Sequence, residues 1–318
     1  MENHKNYLSH EHEHNAIAPV ALFVYGRPWH TQQTVEALRR NKLSEKSDLF
    51  IFSDAAKNDK AIPAVNEVRS YIKTVSGFRS VQIVEREKNW GLANSVVDGV
   101  THLCKNYGRV IVVEDDLETS EGFLDYMNAA LNRYEREEKV YSISGYSFTS
   151  DEKNVDDSYF LGLASSWGWA TWEKKWSIFE RNCDLLKKHL EDKKFRNAFN
   201  YSNSYDYSAM ADTQVAGRSD SWAIYWYFCF FQKSGLTLFP GKSLVRNIGR
   251  DNSGTHIGEA VEERSLENFR PSLTDDIFEK KSNRLIIQKI LNNAAKAHPH
   301  MQKRSFLSRA IKVIRSKL

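Results

Sequence analysis

The sequence predicts an α/β protein with a mostly parallel central sheet flanked by helices, followed by a helical C-terminal extension that ends in an amphipathic helix. Three observations carry this. Apolar, β-favouring runs alternate with segments of helical periodicity over residues 20–137, the pattern of βαβ units. The run that leads into Glu114-Asp115-Asp116 is apolar rather than alternating, as strands buried on both faces are. The runs also end on polar or acidic residues: Tyr25 to Arg27, Asp54, and Glu114-Asp115-Asp116. Right-handed crossovers gather such strand ends at one edge of a sheet, where ligands of open α/β folds bind.

Bulk properties are compatible. The chain has 318 residues, 41% hydrophobic and 27% charged, enough for a large core and ordinary for a soluble protein. Forty-five Lys and Arg against 41 Asp and Glu leave a formal net charge of +4, too mild to argue for nucleic acid, and no nucleic-acid partner is expected. Cys104, Cys183 and Cys229 form no CxxC pair, which disfavours a disulfide framework or structural zinc and fits a reducing compartment. The longest apolar run, Trp222 to Phe231, is too short to span a bilayer. With no apolar signal segment ahead of the first strand, a cytoplasmic location is expected, peripheral on the inner face of the membrane if something anchors the chain.

Residues 1–18, with His4, His10, His12 and His14, read as a disordered leader. Val20 to Tyr25 is a buried first strand, broken by Gly26-Arg27-Pro28, and a helix is expected from Thr31 to Arg40. Leu49 to Phe52 is a second strand ending at Ser53-Asp54, followed by a helix over 64–75. Val81 to Val84 is a third strand, and Asn89-Trp90-Gly91-Leu92-Ala93-Asn94 leads into a helix reaching Cys104. Arg109 to Val113 then runs straight into the three acids, with a helix over 122–137 behind them. Further on, Tyr141 to Tyr146 and Tyr159 to Ala164 read as strands, and Trp167-Gly168-Trp169 as an aromatic turn running into a helix. Residues 182–212 are mostly helical, Asp220 to Phe231 is an aromatic helix, Thr237 to Phe239 a short strand, and 244–258 a loop. Residues 19–150 thus form a first half and 151–270 a second half of one domain, with 271–318 as the extension. In 303–318, Leu307, Ala310, Ile311, Ile314 and Leu318 recur at helical spacing among Arg and Lys without an acid. That pattern suits an anionic membrane surface, with packing on the domain as the alternative.

Acids directly after a buried strand need a cationic partner, because an unpaired buried carboxylate is costly. A metal ion, a helix N-terminus or a cationic ligand would each serve. Hard divalent cations such as Mn2+ or Mg2+ take carboxylate oxygens. The alternative is a solvated turn in which Asp115 or Asp116 caps a helix.

Several segments together resemble the GT-A fold glycosyltransferases of the N-acetylglucosaminyltransferase I-like group and its bacterial relatives. They are Tyr25-Gly26-Arg27-Pro28, Asn89 to Asn94, Glu114-Asp115-Asp116, Trp167-Gly168-Trp169, the helix beginning at Asp220, and Gly254-Thr255-His256. The resemblance implies a Rossmann-like sheet, a UDP-sugar donor and a glycan or lipid-linked glycan acceptor. It implies that Asp116 holds the metal while Glu114 and Asp115 support the ribose and the site. Tyr25 and Arg27 would border the nucleotide, Asp54 would accept from uracil, and Gly91 and Asn94 would line the nucleotide loop. Trp167, Gly168 and Trp169 would wall the sugar, with core packing as the rival role. Asp220 would be the general base of an inverting transfer, or else a helix cap. His256 would complete the metal shell and Arg250 would touch phosphate. Two other functions compete. A sugar-nucleotide-forming nucleotidyltransferase is disfavoured by the single glycine after the first strand, and a non-catalytic nucleotide- or glycan-binding module by the presence of Asp116 and Asp220.

Overall fold

A computed structural model of the chain describes residues 17–149, 157–249, 251, 266 and 271–297. Eight strands form one sheet in the order β3-β2-β1-β4-β8-β6-β9-β7. β1 (Val20–Val24), β2 (Asp48–Ser53), β3 (Ser80–Glu85) and β4 (Arg109–Glu114) are mutually parallel. β8 (Trp169–Trp172) is wedged antiparallel between β4 and β6 (Val140–Ser144). β9 (Leu236–Pro240) runs parallel to β6, and β7 (Ser158–Leu161) closes the sheet antiparallel to β9. The mostly parallel sheet is therefore observed, with β7 and β8 as its reversed strands. It runs unbroken through both expected halves of the chain.

The helices follow from the crossovers. α1 (Pro28–Arg39), α2 (Ile62–Ile72) and α3 (Leu92–Tyr107) connect the parallel strands, and α4 (Phe123–Tyr134) precedes β6. α1 starts earlier than expected because Pro28 occupies a first-turn position, where its missing N–H costs nothing. α3 ends at Gly108, whose φ of 74° makes the left-handed stop that glycine favours. Short helices α5 (Glu173–Trp176), α6 (Cys183–Leu190), α7 (Lys193–Phe199) and α8 (Tyr207–Val215) lead to the aromatic α9 (Trp222–Phe231), and α10 (Lys281–Ala297) lies in the extension.

Strand periodicity sorts the core into two layers. Ala21, Phe23, Val110 and Val112 face one side with α3 and α9, whereas Val20, Leu22, Val24, Ile111 and Val113 face the other with α1 and α4. Two segments expected as turn or loop are strands. Trp169–Trp172 is a central strand rather than the entry to a helix. Val245–Asn247 (β10) pairs antiparallel with Leu117–Thr119 (β5), a two-stranded ribbon beside the main sheet. Cys104, Cys183 and Cys229 are free. Among the described residues no helix is long and apolar enough to cross a membrane. The leader up to residue 16 and the basic segment 303–318 lie outside the described residues.

Candidate active site

The carboxyl ends of β1, β2 and β4 converge, as the crossovers require. Glu114 is the last residue of β4, and Asp115 and Asp116 form the turn that follows it. Glu114 is partly buried. Burial, with Asp116 and Asp115 beside it, pushes its carboxyl up to about 8. Asp115 is buried. Burial raises its pKa, and Arg27 opposes the shift by charge and hydrogen bond. One Asp115 oxygen accepts from Arg27 Nη2, while Oδ2 is buried without a hydrogen-bond partner. Thr34 Oγ1 on α1 donates to the Asp115 backbone oxygen at 2.8 Å, which ties α1 to the end of β4.

Arg27, at the start of α1, reaches both neighbouring acids. Its Nη1 lies 3.1 Å from Asp116 Oδ2, completing a fork across Asp115 and Asp116. Burial alone would lower its pKa, but the two carboxylates more than offset this and raise it. Behind the pair lies Gly249, whose neighbour Ile248 donates its N–H to the Asp116 backbone oxygen at 2.8 Å. A Cβ on Gly249 would stand 2.3 Å from Asp116 Oδ2 and 2.7 Å from Arg27 Nη1. Space, not conformation, demands glycine there. Nearby on the chain, Asp251 Oδ2 lies 3.1 Å from Nε2 of the buried His30 on α1. No motif in the sequence singled out Gly249, Thr34 or His30, because their roles depend on which segments meet in space.

Asp54 sits at the end of β2 with its carboxylate occupied. It accepts from Trp90 N at 2.9 Å, Gly91 N at 2.8 Å, Asn89 Nδ2 at 3.0 Å and Ala55 N at 2.9 Å. In this structure it clamps the 89–91 loop. Gly91 leaves the loop at φ 76°, ψ 159°, a conformation open to glycine, and starts α3 without a side-chain cap. Arg86 covers the loop, its guanidinium 3.9 Å from the Trp90 ring centroid. Tyr25 borders the same edge, its hydroxyl accepting from Lys57 N at 2.9 Å.

Asn94, in the first turn of α3, donates to Trp90 O and accepts from Arg181 Nη1, each at 2.8 Å. Arg181 also pairs with Asp220. That guanidinium, missed in the sequence because it lies in a featureless polar stretch, links Asp220 to α3. Asp220 is half exposed and does not cap α9. Ser221 does, its hydroxyl accepting from Ile224 N.

The expected sugar wall divides. Trp169 is fully buried, with Trp222 stacked on it at 5.1 Å and Trp176 and Trp226 close by. As the first residue of a central strand it faces the α9 layer, so it is core and not sugar-binding. Gly168 is structural too: its φ is 56°, and a Cβ would lie 2.8 Å from Val245 Cγ1. Trp167 alone is partly exposed, edge-on to Tyr146 at 4.9 Å. Arg250 and His256 lie outside the described residues.

No group of three or more His, Cys, Asp and Glu side chains among the described residues can hold a cation by itself. A divalent cation that binds together with a nucleotide takes one or two carboxylates and phosphate oxygens. Asp116 and the unsatisfied Asp115 oxygen fit that requirement.

A family model described as the GNT-I family matches residues 6–183, more than half of the chain. No curated protein matches. Among solved structures the chain is similar to mannosyltransferase PcManGT from Pyrobaculum calidifontis in complex with GDP-Man and Mn2+, with 12% identity and a TM-score of 0.38 over 69% of this chain and 73% of that one. It is similar to mouse xyloside xylosyltransferase 1 in its apo form, with 7% identity and a TM-score of 0.34 over 68% and 81%. It is also similar to S. aureus TarS 1–349, with 9% identity and a TM-score of 0.35 over 50% and 47%. The acid-terminated strand, the clamped glycine loop and the family match agree: the chain belongs to the GNT-I family of GT-A type glycosyltransferases.

Proposed function

We propose that this glycosyltransferase is metal-dependent and inverting, and that it moves a sugar from a UDP-sugar to a glycan acceptor. One observation carries the reading: Asp116, Asp115 and Arg27 meet at the sheet edge beside the uncapped, Asp54-clamped start of α3. Such an edge offers both signs of charge that a metal-bound diphosphate needs. A divalent cation, Mn2+ or Mg2+, bound through Asp116 would neutralise charge on the departing diphosphate.

The chain's own groups have separate tasks. Glu114 and Asp115 support the ribose and the site, while Tyr25, Gly91 and Asn94 border the nucleotide. Arg250 contacts phosphate and His256 adds a metal ligand. Trp167 borders the sugar. Asp220 takes the acceptor's hydroxyl proton. Arg181 holds one of its carboxylate oxygens, leaving the other to accept the proton. The alkoxide then attacks the anomeric carbon from the face opposite the nucleotide, so configuration inverts. The acceptor is a bacterial surface polysaccharide or lipopolysaccharide precursor, carried on lipid at an anionic membrane surface that residues 303–318 engage.

The test is release of UDP from a panel of UDP-sugars, with and without manganese. Asp116→Ala should lose metal-dependent nucleotide binding. Asp220→Asn should keep that binding and lose transfer, and transfer retained by Asp220→Asn would remove Asp220 from the base role. Absence of both binding and turnover for every UDP-sugar with manganese present would refute the reading.

A further inference from the structure

We propose that Arg27 is the resident cation of the acidic site and makes divalent-cation binding conditional on the nucleotide diphosphate, which draws the guanidinium off Asp116. The inference rests on the metal–nucleotide reading of Asp116 given above.

Three features place Arg27 in that role. It is held at both ends: its backbone oxygen accepts from Thr31 N at 2.9 Å, and its guanidinium forks across Asp115 and Asp116. The fork is largely out of solvent, with side-chain exposures of 20% for Arg27, 6% for Asp115 and 14% for Asp116, so the charges are weakly screened. Gly249 closes the other side, where even a methyl group would collide with Asp116 Oδ2 and Arg27 Nη1. A cation joining Asp116 therefore meets the guanidinium already on the same carboxylate.

The charge count gives the direction. Asp115 and Asp116 carry two negative charges and Arg27 one positive charge. A divalent cation added alone would leave a net positive, weakly solvated cluster with two cations on one carboxylate. A diphosphate arriving with the metal supplies the missing negative charge, and its oxygens suit the planar guanidinium fork. Arg27 then exchanges carboxylate for phosphate as Asp116 exchanges guanidinium for metal. Because binding couplings are reciprocal, the metal must strengthen nucleotide binding by the same factor.

The experiment measures manganese uptake by the full chain, using the electron paramagnetic resonance signal of free Mn2+, with and without UDP. The wild-type protein should bind Mn2+ alone at least tenfold more weakly than with UDP. Arg27→Gln should bind Mn2+ alone at least tenfold more tightly than wild type, with UDP adding little. Wild-type uptake that is equal with and without UDP overturns the proposal, as does a folded Arg27→Gln that is no tighter on Mn2+ alone. A second readout avoids the variant: the Arg27 guanidinium resonances of the 15N-labelled wild type should stay put with Mg2+ alone and move when UDP is added. Movement with Mg2+ alone overturns the proposal. If wild type takes up no manganese even with UDP, the metal reading falls first and takes this proposal with it, a result distinct from the other failures.

Discussion

Replacing Asp54 with alanine removes one buried carboxylate and strands the donors it gathers. The loop supplies three of them, Asn89 Nδ2, Trp90 N and Gly91 N, at 2.8–3.0 Å. A hydrogen bond to a charged group contributes about 1.5–3 kcal/mol. The three are not additive, because the freed loop can turn its donors to water. A local loss of about 3 kcal/mol follows, roughly the worth of one or two such bonds. Since about 1.4 kcal/mol is tenfold in an equilibrium constant, the Trp90 and Gly91 amides should exchange with solvent about 100-fold faster. Hydrogen–deuterium exchange with peptide-level resolution across 86–95 reads this directly, while amides in β4 serve as an internal control. UDP binding should weaken in parallel, because the start of α3 is no longer held. Exchange at Trp90 and Gly91 within threefold of wild type, in a variant that has lost UDP binding, would refute the clamp and return Asp54 to a direct contact with the base.

Three further outcomes follow from the structure. Trp169→Ala should cost about 3–5 kcal/mol in urea unfolding, as loss of a fully buried aromatic does. A change in sugar preference at unchanged stability would contradict its place in the core. Gly249→Ala should leave the denaturation midpoint nearly unchanged while lowering UDP–manganese affinity by tenfold or more in calorimetry, because its methyl displaces Asp116 or Arg27 rather than core atoms. Arg79, through a hydrogen bond, with Ser80 adding another, holds the Asp48 carboxyl below its ordinary value. The stabilisation is thus complete above the unfolded Asp value of about 3.9 and disappears as pH falls through the lower folded value. Asp48→Asn should flatten that acid limb of the stability–pH curve, and an unaltered limb would assign it to other carboxylates.

Of the first four strands, β1, β2 and β4 were legible because each is an apolar run bounded by turn residues and buried on both faces, whereas β3 is a half-exposed edge strand. Burial on both faces leaves a mark in composition that needs no partner to be seen. β5, β8 and β10 were missed for the opposite reason. They are three or four residues long and exist through partners far away in the chain, as Val245–Asn247 does through Leu117–Thr119. Trp167-Gly168-Trp169 shows the same limit within a single motif. Its two tryptophans read alike in sequence, but Trp169 enters the central strand and is buried, while Trp167 stays in the loop before Gly168, whose φ is 56°, and is partly exposed.

The sequence by itself determined the βαβ order, the glycine-led start of α3 and the acids after β4, because strand burial, helix periodicity and turn chemistry are local properties. Which acid is free to meet a ligand was decided only in three dimensions. Arg27 lies 88 residues from Asp115, Asn89 and Gly91 lie more than 30 from Asp54, and Arg181 lies 39 from Asp220. Electrostatic pairing acts through space, and only the folded backbone sets those distances.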